Sequence, residues 1–323
     1  MRKSMSMTLG GLALVASASV AADYPERDVR MIVPWGAGGG TDGIVRKISN
    51  LAEEPLGGTV YVENIEGGMS ANGLVQALGA RPDGYTLIAL TYDSVVTIPW
   101  QGMLAGYDID KLDLIARITS EPDAVVVPED SRFDSLEALI EAARAAPGEI
   151  RAGIQNMGSR THLTLLQLQD QAEVEFKIVS YPGGAAPQKE ALLNGEVDLA
   201  LTSLGDFESL ISAGDARGLV EFTDVQSESF PDVPPATELG YDIQMGSFVI
   251  LAAPANTPDD AVTALEAAYQ QAYDSEEFQT WLVDVGVTPN WLGTDEVEDW
   301  AEQTQGELFA RMDELKEAGL IGQ

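Results

Sequence analysis

A glycine-rich segment near the start of the chain has the residue types of an anion-binding loop. Residues 31–43 read MIVPWGAGGGTDG, and the last six residues fit the pattern Gly-x-Gly-x-x-Gly between an apolar run and a helical pattern. Unpaired N–H groups at a helix start attract anions, and glycines let a ligand approach the backbone. Thr41 can cap the helix or donate to a ligand, and Asp42 can complement the helix dipole. A carboxylate fits such a loop as well as a phosphate, and a plain tight turn remains an alternative.

The same pattern occurs in dinucleotide-binding folds. Glu63 closes the next predicted strand about 20 residues later, where an acid that binds the ribose would lie. Against a dinucleotide, Pro34 and Trp35 lengthen the turn, and Asp42 would lie beside the pyrophosphate. Export, predicted below, also disfavours a soluble NAD enzyme. We therefore expect neither a cofactor nor catalysis.

A second segment repeats the layout of strand, glycine-containing turn and helix. Residues 153–163 read GIQNMGSRTHL and place Ser159 and Thr161 in the first turn of the predicted helix. Two helix starts of this kind could face each other across a cleft and hold an anion between them. Arg160 could reach a ligand, but we expect it to be exposed at the helix start.

A third strand–glycine–helix turn reads YPGGAAPQ at residues 181–188. Tyr181 could wall a pocket, and Gly183, Gly184 and Ala185 could offer amides. A simple Gly-Pro turn explains the same residues equally well.

His162 is the only histidine, so a hydrolytic triad would have to use it. The chain has no Gly-x-Ser-x-Gly motif, and Ser159 is only a local neighbour of His162. We expect this side chain to bond to backbone on a helix face. With one histidine and no cysteine, no zinc site is expected. The three carboxylates of residues 107–113 lack the glycine and distal glutamate of an EF-hand, so no metal is predicted.

The N-terminus has the composition of a secretory signal. Arg2 and Lys3 precede a short apolar run at residues 9–20 that ends in SVAA, which predicts a leader over residues 1–22 cleaved after Ala21 or Ala22. The run is too short to span a membrane. The absence of cysteine excludes disulfides and suits a bacterial periplasmic protein.

The chain is strongly acidic, with a formal net charge of −34 that becomes two units more negative without Arg2 and Lys3. Nucleic acids and anionic membrane surfaces are therefore not expected as partners. The charge favours adaptation to high salt, although a generally solubilising surface is also consistent.

Apolar segments alternate with amphipathic helical patterns along the whole chain. This alternation predicts an α/β protein with mostly parallel sheets flanked by helices. A capping box is predicted at Asp134 and Glu137, and Thr257 and Pro258 are predicted to begin a later helix. The chain is expected to cross between two α/β units near residues 117–124 and to return near residues 243–250. Two crossings make a hinge, with a ligand site in the cleft.

The order and spacing of these loops resemble the solute-binding proteins of tripartite tricarboxylate transporters, the Bug or TctC family. The resemblance covers the mature chain and rests on the fragments YPERDVRMIVPWGAGGGTDGIVR, VYVENIEGGMSANG, RPDGYTL, GSRTHL, SYPGGAAPQKEALLNGEVD, PDVPPATELGYD and APANTP. It implies the two-lobed periplasmic binding protein fold of type II, the Venus flytrap. The lobes would be residues 23–118 with 249–323, and residues 119–248.

The resemblance also implies which residues contact the ligand. It assigns contacts to three loops and to the variable segment after the third strand: Trp35, Gly38, Gly39, Thr41, Asp42, Tyr92, Asp93, Ser94, Ser159, Thr161, His162, Tyr181, Gly183, Gly184 and Ala185. Asp93 would repel a second carboxylate or pair with an amine on the ligand.

The function implied is capture of a small organic carboxylate, a di- or tricarboxylate or an aromatic acid, by hinge closure. The expected partners are this ligand and inner-membrane transporter subunits, and the protein is expected to be a monomer. A periplasmic sensing module that presents its ligand to a two-component receptor remains the alternative, because the sequence does not separate sensing from uptake.

Overall fold

The computed structural model describes residues 24–182, 184–224, 226–227, 229–317 and 319. The predicted leader, its cleavage site and Gly183 lie outside these residues. Within the described ranges, no helix is both long and apolar enough to cross a membrane.

Strands and helices alternate through most of the chain. The strands are β1 (Val29–Val33), β2 (Val60–Asn64), β3 (Thr86–Leu90), β4 (Leu112–Pro128), β5 (Arg151–Ile154), β6 (Lys177–Ser180), β7 (Leu199–Ser203), β8 (Ala216–Glu221), β9 (Gly246–Pro254) and β10 (Thr288–Leu292). The α-helices are α1 (Gly40–Leu56), α2 (Ala71–Leu78), α3 (Ile98–Gln101), α4 (Leu136–Ala145), α5 (Arg160–Ala172), α6 (Ala185–Leu193), α7 (Leu204–Ala213), α8 (Asp259–Tyr273), α9 (Glu276–Asp284) and α10 (Thr294–Glu317).

Two groups of strands share the long strand β4. In the first group the order is β2-β1-β3-β9-β4-β10, with β1, β2 and β3 parallel and the remaining neighbours antiparallel. In the second group β5, β6 and β7 are parallel, and β4 lies antiparallel between β7 and β8. β4 pairs with β9 as far as Pro122, and from Asp123 onward it pairs with β7 and β8. This single strand therefore connects the two sheets.

Helices cover both faces of the first sheet, which explains why β1 and β3 are almost continuously apolar. On one face, Ile44 and Ile48 of α1 pack in the same buried cluster as Leu265 and Tyr269 of α8. The other face belongs to a larger cluster that includes α2 and reaches the end of α10 at Leu315. Each parallel strand is followed by a helix, so helix starts lie near the carboxyl ends of these strands.

Two predicted helix caps are wrong by one residue. The cap of α4 is Ser135, whose Oγ accepts from the Ala138 N–H at 3.2 Å, rather than Asp134. Pro258 precedes α8 as its cap, whereas the Thr257 hydroxyl donates back to the Pro254 carbonyl at 2.8 Å. Gly57 follows α1 in the left-handed conformation that closes the helix.

Candidate functional site

A cavity of about 400 Å³ lies where the helix starts of both sheets meet. Its walls come from the glycine-rich loop before α1, the segment after β3, the crossing strands β4 and β9, and the starts of α5, α6 and α7. The lining includes Trp35, Gly38, Gly39, Gly40, Thr41, Thr91, Tyr92, Asp93, Glu121, Gln155, Arg160, Gly184, Ala185, Lys189, Asp206 and Ser247.

The buried carboxylate of Asp42 fixes the conformation of the glycine-rich loop through hydrogen bonds. Gly38 has φ +81° and donates its N–H to Asp42 Oδ2 at 2.9 Å. Asp42 Oδ1 accepts from Arg46 Nε at 2.9 Å and from Asn64 Nδ2 at 2.8 Å. Burial alone would raise the pKa of Asp42, but these hydrogen bonds hold it below its usual value. Asp42 is 4% exposed and does not line the cavity, so it organises the loop.

The start of α1 presents backbone rather than side chains to the cavity. Gly39 is the N-cap and makes no side-chain capping bond. The first N–H groups of a helix have no intrahelical acceptor, and Gly39, Gly40 and Thr41 all line the cavity. Trp35 forms an adjacent wall, fixed by its Nε1–H, which donates to Thr91 Oγ1 at 3.1 Å. The N–H groups at this helix start can therefore donate hydrogen bonds to an anionic oxygen of a ligand.

The polar side chains at the loop before α5 form hydrogen bonds with the backbone of that loop. Ser159 Oγ donates to the Asn156 carbonyl at 2.7 Å, and Thr161 Oγ1 accepts from the Gln155 N–H at 3.1 Å. His162 Nδ1 accepts from the Gly158 N–H at 2.9 Å, which confirms the expected bond to backbone. Burial lowers the pKa of His162 and favours the neutral ring that this bond requires. The three side chains lie outside the cavity lining.

Arg160 is buried, so the expectation that it would be exposed is wrong. It is 6% exposed and forms an ion pair with Asp123, which is 0% exposed. Thr164 Oγ1 donates to the other oxygen of Asp123 at 2.5 Å. Burial lowers the pKa of Arg160, while nearby acids, above all Asp206, raise it. A surrounding group of carboxylates thus makes burial of this guanidinium tolerable.

The segment after β3 forms a single π-helical turn at Asp93–Thr97. Tyr92 and Asp93 line the cavity, whereas Ser94 Oγ bonds to Ser70 Oγ at 2.9 Å and lies outside the lining. Asp93 Oδ1 accepts from Thr97 Oγ1 at 2.6 Å. Burial raises the pKa of Asp93 above its usual value.

The turn before α6 contributes only part of its predicted contacts. Gly184 and Ala185 line the cavity, and Gly184 has φ +95°. Tyr181 points elsewhere, with its hydroxyl donating to Glu196 Oε2 at 3.3 Å. Gly183 lies outside the described residues.

Several cavity residues did not emerge from the sequence. Glu121 and Ser247 lie on the crossing strands, Gln155 and Asp206 lie near helix starts, and Lys189 lies in the middle of α6. Burial, followed by the charge of Asp206, raises the pKa of Glu121 to about 7. The sequence LTSLGDF before α7 has the strand–glycine–helix layout that could have drawn attention to Asp206. No group of three or more His, Cys, Asp or Glu among the described residues is placed to hold a metal ion.

Comparison with known proteins places this chain in a family. Residues 44–312 match the model of the tripartite tricarboxylate transporter family receptor, TctC. The protein BugT of Bordetella pertussis is 28% identical over 298 residues, which cover 88% of this chain and 91% of BugT. The solved periplasmic binding protein BugD has 25% identity and a TM-score of 0.79, with 93% of this chain and 100% of BugD covered.

An R. palustris protein whose structure was solved with adipate has 26% identity and a TM-score of 0.82, with 92% of this chain and 99% of that chain covered. The predicted α/β fold of a two-lobed periplasmic binding protein is confirmed by these structures. The chain therefore belongs to the tripartite tricarboxylate transporter receptor family, a family of periplasmic solute-binding proteins and not of enzymes.

Proposed function

We propose that this protein captures a small organic carboxylate, such as a di- or tricarboxylate or an aromatic acid, in the cavity and delivers it to a tripartite tricarboxylate-type transporter in the inner membrane. The observation that carries the proposal is the bare start of α1. Gly39, Gly40 and Thr41 face the cavity where the helix has unpaired N–H groups and a positive dipole end. The R. palustris relative solved with adipate supports a carboxylate as the ligand.

The proposal includes two lobes, formed by residues 23–118 with 249–323 and by residues 119–248. The pairing of β4 supports this division, because its partners change between Pro122 and Asp123. β9 begins at Gly246 and pairs back into the first sheet with β3 and β4. The change of partners along β4 and the start of β9 support hinge regions at residues 117–124 and 243–250.

Contacts between the proposed lobes give closure a physical basis. Gln101 Nε2 donates to the Gly158 carbonyl at 3.3 Å on one side of the cavity, and Arg311 Nε donates to Gln167 Oε1 at 3.1 Å. A ligand that contacts both lobes would add to these interactions only when the cleft is closed. It would thereby shift the population towards the closed state, which would be the form that docks on the transporter.

A thermal-shift screen of purified mature protein against mono-, di- and tricarboxylates and aromatic acids tests the proposal. A ligand present at about 100 times its Kd adds roughly 2.7 kcal/mol to the free energy of unfolding, which gives a clear rise in Tm. Small-angle scattering with that ligand should show compaction. The proposed function is wrong if no carboxylate raises Tm, and the closure step is wrong if a verified ligand leaves the scattering unchanged.

A further inference from the structure

Three carboxylates line the cavity. Asp93 follows β3, Glu121 lies on the crossing strand β4, and Asp206 lies in the first turn of α7. Asp206 Oδ1 lies 3.0 Å from the position that a Cβ on Gly40 would occupy, so this carboxylate faces the start of α1. The acids thus come from both sides of the cleft.

The cavity lining has two cations, Arg160 and Lys189, against these three acids. The guanidinium of Arg160 is already paired with a fourth carboxylate, Asp123, which is fully buried behind it. Lys189 lines the cavity from α6, is half-buried, and has its Nζ 5.8 Å from the centre of the Phe207 ring. The side chains around Arg160 therefore leave an excess of negative charge facing the ligand.

The buried hydroxyl of Tyr92 independently indicates that a polar group of the ligand binds in this cavity. Its side chain is 2% exposed, it lines the cavity, and its hydroxyl has no hydrogen-bond partner among the described residues. A buried polar group without a partner costs free energy unless a ligand or water satisfies it. The neighbouring Asp93 is 6% exposed, and among the described side chains only Thr97 donates to it.

A protonated amine on the ligand would satisfy both the Asp93 carboxylate and the Tyr92 hydroxyl. An ammonium group has three donors, enough for a carboxylate of Asp93 and the hydroxyl oxygen of Tyr92 together. A second carboxylate in the same place would face like charges at low dielectric, where repulsion is strong. Burial, followed by the charge of Asp206, raises the pKa of Glu121 to about 7.

We propose that the ligand of this protein carries a protonated amine as well as a carboxylate, with the amine held by Asp93 and the Tyr92 hydroxyl and the carboxylate at the start of α1. This inference rests on the proposed function and narrows its substrate class to small amino-bearing carboxylates. Glu121 and Asp206 add further negative charge to the cavity as a whole. A metal ion in its place is disfavoured, because the acids in the described part of the chain are not arranged as metal ligands.

Matched sets of probes test the amine directly. Each set has one carbon skeleton with a second carboxylate, an amine or neither: adipate, 6-aminohexanoate and hexanoate, and terephthalate, 4-(aminomethyl)benzoate and 4-methylbenzoate. Thermal shift at about 10 mM reveals binding, and calorimetric titration then gives Kd in the millimolar range or below. In a set that binds, we expect the amino acid to bind about tenfold or more tightly than both of its partners.

The Asp93→Asn variant identifies the residue responsible. It keeps the shape of the side chain, removes its charge and should abolish the preference for the amine without removing binding of the carboxylate. Asp215→Asn is the matched control, because Asp215 is exposed, lies outside the cavity and loses the same charge. Its preference should equal that of the unmodified protein.

The possible failures are distinguishable. Binding of dicarboxylates or plain monocarboxylates as tightly as their amino counterparts would overturn the amine site and leave the proposed function standing. An amine preference that survives Asp93→Asn would overturn the assignment of the residue. No stabilisation by any member of either set, together with none in the wider carboxylate screen, would overturn both proposals.

Discussion

The loops before α1 and α5 have nearly the same backbone. Gly38 and Gly158 have φ values of +81° and +80°, and each donates its N–H to a side chain four residues later, Asp42 in the first loop and His162 in the second. The next residue in each loop, Gly39 or Ser159, is the N-cap of its helix. The φ and ψ angles of the caps are −79° and 170° in the first loop and −77° and 171° in the second.

The side chains make these equivalent loops chemically different. After its cap, α1 begins with Gly40, whereas α5 begins with Arg160 at the matching position. The first loop therefore exposes bare backbone to the cavity, while the second supplies a guanidinium tied to Asp123. The comparison teaches that a strand–turn–helix layout places a helix start at the cleft, and that the residue after the cap then decides which side chain, if any, accompanies it.

Arg160→Leu tests the second loop and should have the largest effect. It leaves Asp123 buried without its counter-ion, which should lower the free energy of unfolding by about 3–5 kcal/mol. Denaturant unfolding at neutral pH measures the loss. Adding Asp123→Asn to the same chain should recover much of it, since the unpaired charge is then gone. A loss below about 1 kcal/mol would mean that the ion pair is not what holds this loop.

Asp42→Ala tests the corresponding support of the first loop. Three donors, the Gly38 N–H, Arg46 and Asn64, lose their charged acceptor. We expect the free energy of unfolding to fall by about 2–3 kcal/mol. Asp42→Asn keeps one acceptor oxygen and should lose less, and equal losses for the two variants would contradict the role of the hydrogen bonds.

His162 accepts the N–H of Gly158 as Asp42 accepts that of Gly38, but with a neutral ring. His162→Ala should therefore lower the free energy of unfolding by about 1 kcal/mol at pH 8. Burial lowers the pKa of His162 in the folded protein, so its stabilising contribution is present above the unfolded pKa of about 6.5 and is lost as the pH falls further. The difference between the unmodified protein and His162→Ala should therefore shrink between pH 8 and pH 5. Unfolding curves at pH 8 and pH 5 measure this difference in stability. A difference that is larger at pH 5 would contradict a neutral His162 as the acceptor.

Gly40→Ala should have the smallest effect on stability and a clear effect on binding. The added methyl group meets only the end of the Asp206 side chain, at 3.0 Å, so the free energy of unfolding should change by less than about 0.5 kcal/mol. Binding of a carboxylate found in the screen should weaken by about tenfold in calorimetric titration. Gly306→Ala, which adds a methyl group in open space on α10, is the control and should leave Kd unchanged. Equal Kd values for the unmodified protein and both variants would contradict a contact between Gly40 and the ligand.

Much of the fold could be predicted from periodicity, because buried parallel strands and amphipathic helices have distinct patterns. The parallel strands on both sides of the cleft are confirmed. β4 does not follow this pattern over its whole length, since Arg117, Glu121 and Asp123 interrupt its apolar run. These polar residues are tolerated because each has a tertiary role: Arg117 stacks on Trp300 at 4.2 Å, and the other two belong to the cleft and its ion pair.

The cavity was less predictable than the fold. Motif spacing located the loops, but it does not determine whether the hydroxyls of Ser159 and Thr161 turn towards a ligand or back to their own backbone. Arg160 depends on Asp123, and Asp93 lies in the same cavity as Asp206 more than a hundred residues away. Such partners are brought together only by the tertiary fold, so one sequence read locally does not reveal them.

Calorimetric titration of Gly39→Val with a carboxylate that binds the unmodified protein tests the central claim most directly. Gly39 lines the cavity as the cap of α1, and a Cβ there already lies 3.4 Å from the Gly36 carbonyl, so the branched side chain should cover the open amides. Ser159→Ala, at the equivalent position of the other loop, is the matched control. The account predicts that Gly39→Val loses measurable binding while Ser159→Ala keeps it, and unchanged Kd for Gly39→Val would contradict the claim that the start of α1 holds the carboxylate.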